Sequence, residues 1–242
     1  MPEPFLSIVI PAYNEAERIV STLEKIRDYA RSKPFSVEVI AVDDGSTDRT
    51  PELLREFELA SKRLFRNEPN RGKGYSVRRG VLEAQGQFVL FTDADLSSPI
   101  GEADKLLAAL ESSGGDAAVG SRALQRELIG VHQPWHRELA GRLFNLLVRL
   151  FTGLRLRDTQ CGFKLFRRAA TRRAFELQRV EGFGFDPEVL FLIERLGGKL
   201  LEVPVRWNDN PATKVRFLED ATRMALALVA LRWRAWTRQY RS

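Results

Sequence analysis

Short apolar runs alternate with amphipathic stretches through the first half of the chain, and each run is closed by polar residues. Leu6–Ile10, Val37–Val42, Phe88–Thr92 and the segment around Ala117–Ser121 read as strands, with a shorter one at Leu64–Arg66. Helical patterns fill Glu15–Arg31, the stretch opening at Thr50-Pro51-Glu52, Tyr75–Ala84 and Gly101–Leu110. Strand and helix in alternation predict an α/β fold around a mostly parallel sheet. The second half reads as more helical. Special residues fall just after the predicted strands: Tyr13 and Asn14, Asp43 and Asp44, Asp93 and Asp95, Ser121 and Arg122. In a parallel sheet these positions share one edge, where open α/β sheets bind ligands.

At 242 residues the chain has room for one large domain with a real core. We expect residues 1–122 to form a first half, 123–216 a second, and 217–242 an amphipathic tail. The longest apolar run, Met224–Leu231, is far shorter than the roughly 20 residues that cross a bilayer. Met1-Pro2-Glu3-Pro4 has no secretory-signal character, which predicts a cytoplasmic location. Cys161 is the only cysteine, which excludes an intramolecular disulfide and agrees with a reducing compartment. The formal charge of +6 suits an anionic partner. Part of it is concentrated at the end, where Arg232, Arg234, Arg238 and Arg241 interleave with Trp233, Trp236 and Tyr240 without an acid among them.

Asp93-Ala94-Asp95 carries the sharpest chemistry. Hard divalent cations such as Mg²⁺ or Mn²⁺ take oxygen ligands and bridge one or two carboxylates to substrate phosphates. A loop capped by Asp95 or Ser97 would use the same residues structurally. Asp43 and Asp44 suit an Asx turn, or a carboxylate accepting a hydrogen bond from a nucleobase N–H. No G-x-G-x-x-G follows the first strand, and Gly72-Lys73-Gly74 lacks the spacing and hydroxyl of a P-loop. Cys161 reads as a small buried filler. His132 and His136 lack an acidic orienter and read as structural or exposed.

Pro11-Ala12-Tyr13-Asn14-Glu15, Val42–Asp48 and Asp93-Ala94-Asp95, in this order and spacing, resemble the family 2 glycosyltransferases of the GT-A fold. Asn70–Gly74 and Asp158–Phe166 extend the resemblance to the polyprenyl-phosphate (dolichyl-phosphate) hexosyltransferase branch, and most of all to its dolichyl-phosphate β-glucosyltransferases. The resemblance implies a Rossmann-like mixed sheet that binds a nucleotide diphosphate sugar. Pro11, Ala12, Tyr13 and Glu15 would border the nucleoside, and Asp43 would accept from the base. Asp93 and Ala94 would lie near ribose and metal, with Asp95 a direct metal ligand. Lys73, Arg122 and Lys214 would neutralise the diphosphate, and Asp95, Arg122 and Lys214 form the expected catalytic set. Asp158, Gln160, Gly162 and Lys164 would shape the acceptor side.

The expected reaction is inverting, metal-dependent transfer of a hexose, with glucose from UDP-glucose first and mannose from GDP-mannose as runner-up, to a polyprenyl phosphate. A phosphate acceptor needs no general base, because its oxygen is already anionic near neutral pH. A saccharide hydroxyl acceptor would need one, for which Asp158 or Glu188 are the candidates. A noncatalytic nucleotide- or membrane-binding module is the remaining alternative. Nucleic acid is not expected, since the acidic edge repels its phosphates. A processive synthase is disfavoured because the chain has neither spanning helices nor Q-x-x-R-W. In Glu138–Leu154 the leucines 139, 143, 146, 147 and 150 recur at helical spacing, and Phe217–Arg238 joins an apolar body to the Arg/Trp-rich end. The second has interfacial composition, predicting peripheral contact with the cytoplasmic face of a membrane; a separate membrane-spanning partner is also compatible.

Overall fold

The sheet is laid down by β1 (Leu6–Ala12), β2 (Val37–Asp43), β3 (Lys62–Arg66), β4 (Phe88–Thr92), β5 (Ala117–Ser121), β7 (Phe163–Arg167) and β8 (Leu200–Pro204). In this computed structural model, which describes residues 3–131, 135–209 and 217–240, the strand order is β3-β2-β1-β4-β7-β5-β8. β1 pairs in parallel with β2 and β4, and β5 with β8. β7 alone runs the other way, antiparallel to both β4 and β5. A short second ribbon pairs β6 (Ile129–Val131) with β9 (Trp207–Asn208).

The inner strands are buried on both faces, as in parallel sheets covered by helices, while the edge strands β3 and β8 are half-buried. On one face Leu6, Ile8, Ile10, Val39, Phe88 and Leu90 pack against α1 (Ile19–Arg31), α2 (Thr50–Glu56) and α4 (Ala103–Ser113). On the other, Val9, Ile40, Val42, Val89 and Phe91 pack against α3 (Lys73–Glu83), α6 (Arg168–Leu177) and α7 (Phe185–Arg195). The long helices α5 (Trp135–Thr152) and α8 (Phe217–Trp236) close this second face and pack on each other.

The expected elements of the first half are present with shifted ends. Glu15–Arg18 forms a turn before α1, and α3 begins at Lys73, which places that lysine in a first helical turn rather than a loop. Sequence reading missed β6, β7, β8 and β9, of which β7 bears most on the site. The β7 side chains Phe163, Leu165 and Phe166 are buried, and so is Lys164, whose ammonium lies 2.6 Å from Asp186.

α5 is oriented against simple amphipathic expectation. Asn145, Val148 and Thr152 face inward, while Leu139, Leu143, Leu146, Leu147 and Leu150 are 39–72% exposed. α8 buries Leu228, Leu231 and Ala235 and leaves Leu226, Val229, Trp233 and Trp236 outside. No described helix is long and apolar enough to cross a membrane.

Gly80 marks the closest approach of α3 to the sheet, where an added methyl would collide with Val9. Gly80→Ala should therefore lower stability by about 1–3 kcal/mol despite alanine's better helix propensity. A denaturant midpoint measured against wild type checks this.

Candidate functional site

β1 and β2 end in register, Ala12 opposite Asp43, and the two loops that leave them are laced together. Asn14, in the left-handed region at φ 54°, accepts through Oδ1 from the backbone N–H groups of Thr47 (2.8 Å) and Asp48 (3.3 Å). Glu15 N donates to Thr50 Oγ1 at 2.7 Å. Pro11, Ala12, Tyr13 and Glu15 therefore stand against the Asp43–Asp48 turn, with Tyr13 exposed at the rim.

The two aspartates of that turn divide their work. Asp44 is a bolt: its carboxylate accepts from Asn67 Nδ2 (2.8 Å), Arg71 N (3.0 Å) and Gly72 N (2.7 Å), fixing the loop that delivers Lys73. Asp43 accepts from Ser46 N at 3.2 Å through Oδ1, while its buried Oδ2 has no hydrogen-bond partner and lies 3.5 Å from Arg66 Nε. Buried carboxylate oxygens are rarely left so, and this one is suited to an N–H donor.

One strand away, Asp93 N donates to Gly162 O at 3.1 Å, and Lys73 Nζ sits 2.6 Å from Asp93 Oδ1. The carbonyl of buried Ala94 accepts from Thr22 Oγ1 at 2.6 Å, and Asp95 Oδ1 accepts from Ser97 N at 2.9 Å. Leu96 follows in the left-handed region, φ 46°, a conformation unfavourable for a branched side chain and held here by its surroundings. Burial, and then the charge of Asp93, push the Asp95 carboxyl above the ordinary aspartate range. Arg18 opposes that repulsion, braced by a forked ion pair with Glu15. Burial works against the charge of Lys73, but Asp93 and Asp186 more than offset it and hold the ammonium above the usual lysine value.

Two adjacent carboxylates that repel one another are a donor set for a divalent cation. Among the described residues no third His, Cys, Asp or Glu joins them. Asp93 and Asp95 thus fit a Mg²⁺- or Mn²⁺-type ion whose remaining ligands would come from outside the protein.

The antiparallel course of β7 delivers its preceding residues to this same edge, because Phe163 pairs with Thr92. A side chain at Gly162 would collide with the Asp93 carboxylate, so this glycine packs directly against the acidic pair. Lys164 is buried, and with its ammonium between Cys161 O (2.5 Å) and Asp186 Oδ1 it braces the strand from inside. Burial pushes the Cys161 thiol up to about 11, consistent with a filler and not a nucleophile.

Asp158 and Gln160 do line a cleft, about 400 Å³ in volume, together with Arg122, Arg126, Arg142 and Arg157. Asp158 accepts from Arg122 Nε (2.7 Å) and Nη2 (2.9 Å), and Arg122 stacks over Trp207. Burial works against the Asp158 charge, but Arg122 overcomes it and holds the carboxyl below its usual range. Lys214 and His132 lie outside the described residues.

Four supporting residues had no sequence signal of their own. Arg18 looks like half of an ordinary surface pair. Asn145 accepts from Thr159 N and Oγ1 and donates to the carbonyls of Leu156 and Arg157, tying the cleft loop to α5. Glu202 accepts from the backbone of Arg157 and Asp158 and from Ser121 Oγ. Asp186 needs Lys164 to be intelligible. Because Asp95 is costlier to ionise in the folded chain than in the unfolded one, its charge lowers stability as pH rises through the carboxylate range. Asp95→Asn should raise the Tm of the metal-free protein by about 1–3 °C at neutral pH, with the gain fading under acid, as scanning calorimetry would show.

Residues 7–175 match the model of the family described as glycosyl transferase family 2. The chain is 36% identical over 250 residues to the dolichyl-phosphate beta-glucosyltransferase of Saccharomyces cerevisiae, an alignment covering 95% of this chain and 75% of that one. It is 37% identical over 225 residues to the enzyme of the same name from Drosophila melanogaster, covering 87% and 69%. Its fold matches the crystal structure of glucosyl-3-phosphoglycerate synthase from Mycobacterium tuberculosis in complex with Mn²⁺, UDP and glucosyl-3-phosphoglycerate, with a TM-score of 0.69 at 21% identity, over 95% of this chain and 80% of that one. With its parallel β-α units, inserted antiparallel strand and paired carboxylates at the sheet edge, the chain belongs to glycosyl transferase family 2 and is a glycosyltransferase of GT-A fold.

Proposed function

We propose that this glycosyltransferase moves glucose from UDP-glucose to a polyprenyl phosphate of the dolichyl type at a membrane surface, by direct displacement with inversion. The observation that carries the reading is a juxtaposition. A cleft lined by Arg122, Arg126, Arg142 and Arg157, the first three paired with Asp158 or Glu138 of the same cleft, abuts α5, whose outward face exposes five leucines. That combination suits an anionic head on a long apolar tail. The names of the relatives support the glucosyl unit and the lipid phosphate, and the UDP and Mn²⁺ of the structural neighbour support the donor and the cation.

The Asp43 oxygen that lacks a hydrogen-bond donor would receive the imide N–H of uracil, with Tyr13 beside the base. Lys73, kept protonated by its acidic neighbours, would face the diphosphate, and Arg18 would hold the acidic pair in place. A divalent cation on Asp93 and Asp95 supplies charge neutralisation at the leaving diphosphate. An acceptor phosphate oxygen positioned from the arginine cleft attacks the anomeric carbon as its bond to UDP breaks, and positioning does most of the work. The candidate bases for a hydroxyl acceptor are engaged elsewhere: Asp158 is locked by Arg122, and Glu188 is fully buried under Tyr240. This favours an acceptor that needs no base.

The leucine face of α5, with Trp233 and Trp236 of α8, would seat the protein on the bilayer. Buried Cys161 suits a reducing, cytoplasmic side.

Labelled UDP-glucose, GDP-mannose and UDP-N-acetylglucosamine, each offered with polyprenyl phosphate or with an oligosaccharide, test the assignment. Transfer should occur from UDP-glucose to the lipid, should require Mg²⁺ or Mn²⁺, and should fall at least about 100-fold in Asp95→Asn. Near-normal turnover in that variant, or transfer to the saccharide alone, would overturn it. The double substitution Leu143→Glu, Leu150→Glu should abolish sedimentation with anionic liposomes while leaving the circular dichroism spectrum intact.

A further inference from the structure

Glu188 is the most buried carboxylate outside the reaction centre, and nothing in the chemistry above uses it. It lies in the first turn of α7 at 0% exposure. One oxygen accepts from the backbone N–H groups of Arg179 (2.9 Å) and Val180 (2.7 Å). The other accepts from the hydroxyl of Tyr240, past the end of α8, with Arg234 Nη1 at 3.7 Å. One side chain therefore joins the C-terminal helix to the loop 179–184.

That loop is the roof of the lysine-bearing turn. Glu181 O accepts from Tyr75 N at 3.0 Å, and Arg71 pairs with the Glu181 carboxylate at 2.5 Å. Any side chain at Gly72 or Gly74 would strike the backbone of residues 180–182. The Phe183 ring lies 5.8 Å from Lys73 Nζ, and Gly184 packs so closely on Ala227 and Met224 of α8 that a methyl there would meet them at 3.2–3.5 Å. The route from Tyr240 to Lys73 is a continuous set of contacts.

We propose that Glu188 is a positioning residue, which uses the C-terminal helix as a strut to hold loop 179–184 over Lys73 and so sets the donor diphosphate site. The role given to Lys73 rests on the proposed function; the mechanical link does not. α8 then has two duties, since the helix that exposes Trp233 and Trp236 also braces the donor side.

Full-length Tyr240→Phe, Glu188→Ala and Glu188→Gln decide the matter. Losing one buried hydrogen bond to a carboxylate should speed amide exchange at 179–184 about tenfold in Tyr240→Phe, with β1 and β4 unchanged. KM for UDP-glucose should rise about fivefold or more in the same variant, with a smaller change in kcat. Glu188→Ala should exceed both effects, and Glu188→Gln, which keeps an acceptor for the two amides, should recover most of the protection and of the KM. A merely structural role would lower Tm without moving KM or localising the exchange. Wild-type exchange at 179–184 together with wild-type KM in Tyr240→Phe would overturn the proposal, and Tyr240→Phe decides it even if Glu188→Ala does not fold. The exchange measurement needs no sugar transfer, so it stands apart from the fate of the donor and acceptor assignment.

Discussion

The contact between the backbone of Gly162 and Asp93 joins the segment that precedes β7 to the segment that follows β4. The amide of Asp93 donates to the glycine carbonyl, and the carboxylate occupies the space that any side chain at 162 would fill. This contact exists because β7 is inserted antiparallel between β4 and β5. A parallel strand in that place would carry residues 158–162 to the opposite edge of the sheet, some strand-length away from the acidic pair. Reversing one strand brings a segment that precedes its strand beside segments that follow theirs.

Charge organises the rest. Asp93, Lys73, Asp186 and Lys164 alternate in sign from the cleft toward the core, and Arg122 with Asp158 repeats the pattern at the neighbouring cleft. Isolated, any of these buried ions would be strongly unfavourable, and removing one partner would leave the other uncompensated. Paired, they define orientations more than they add stability, which is the useful property if, as proposed, a diphosphate and a second anion are held in line there.

The α/β class and the acidic sheet edge were legible because their signals are local. An apolar run followed by Asp-Asp or Asp-x-Asp reports a strand end without knowledge of anything distant. β7 was opaque for the opposite reason: Lys164 interrupts the apolar run, and only Asp186, far along the chain, makes a buried lysine acceptable. Helical spacing in α5 identified a helix but not its outward face. The inward contacts that decide it come from Asn145, whose partners Leu156, Arg157 and Thr159 belong to a loop that follows the helix. Arg18 and Glu202 are residue types that surface positions usually carry, and their importance is wholly tertiary.

The three N–H groups gathered by Asp44 have a thermodynamic consequence. The turn that carries Lys73 is held by hydrogen bonds from Asn67, Arg71 and Gly72 that involve no ligand at all. Its conformational entropy is therefore surrendered once, during folding, and not again at each encounter with a nucleotide. A ligand meeting such a turn finds a template already formed, so its binding should carry a small entropic penalty on the protein side, and its departure need not melt and rebuild the turn.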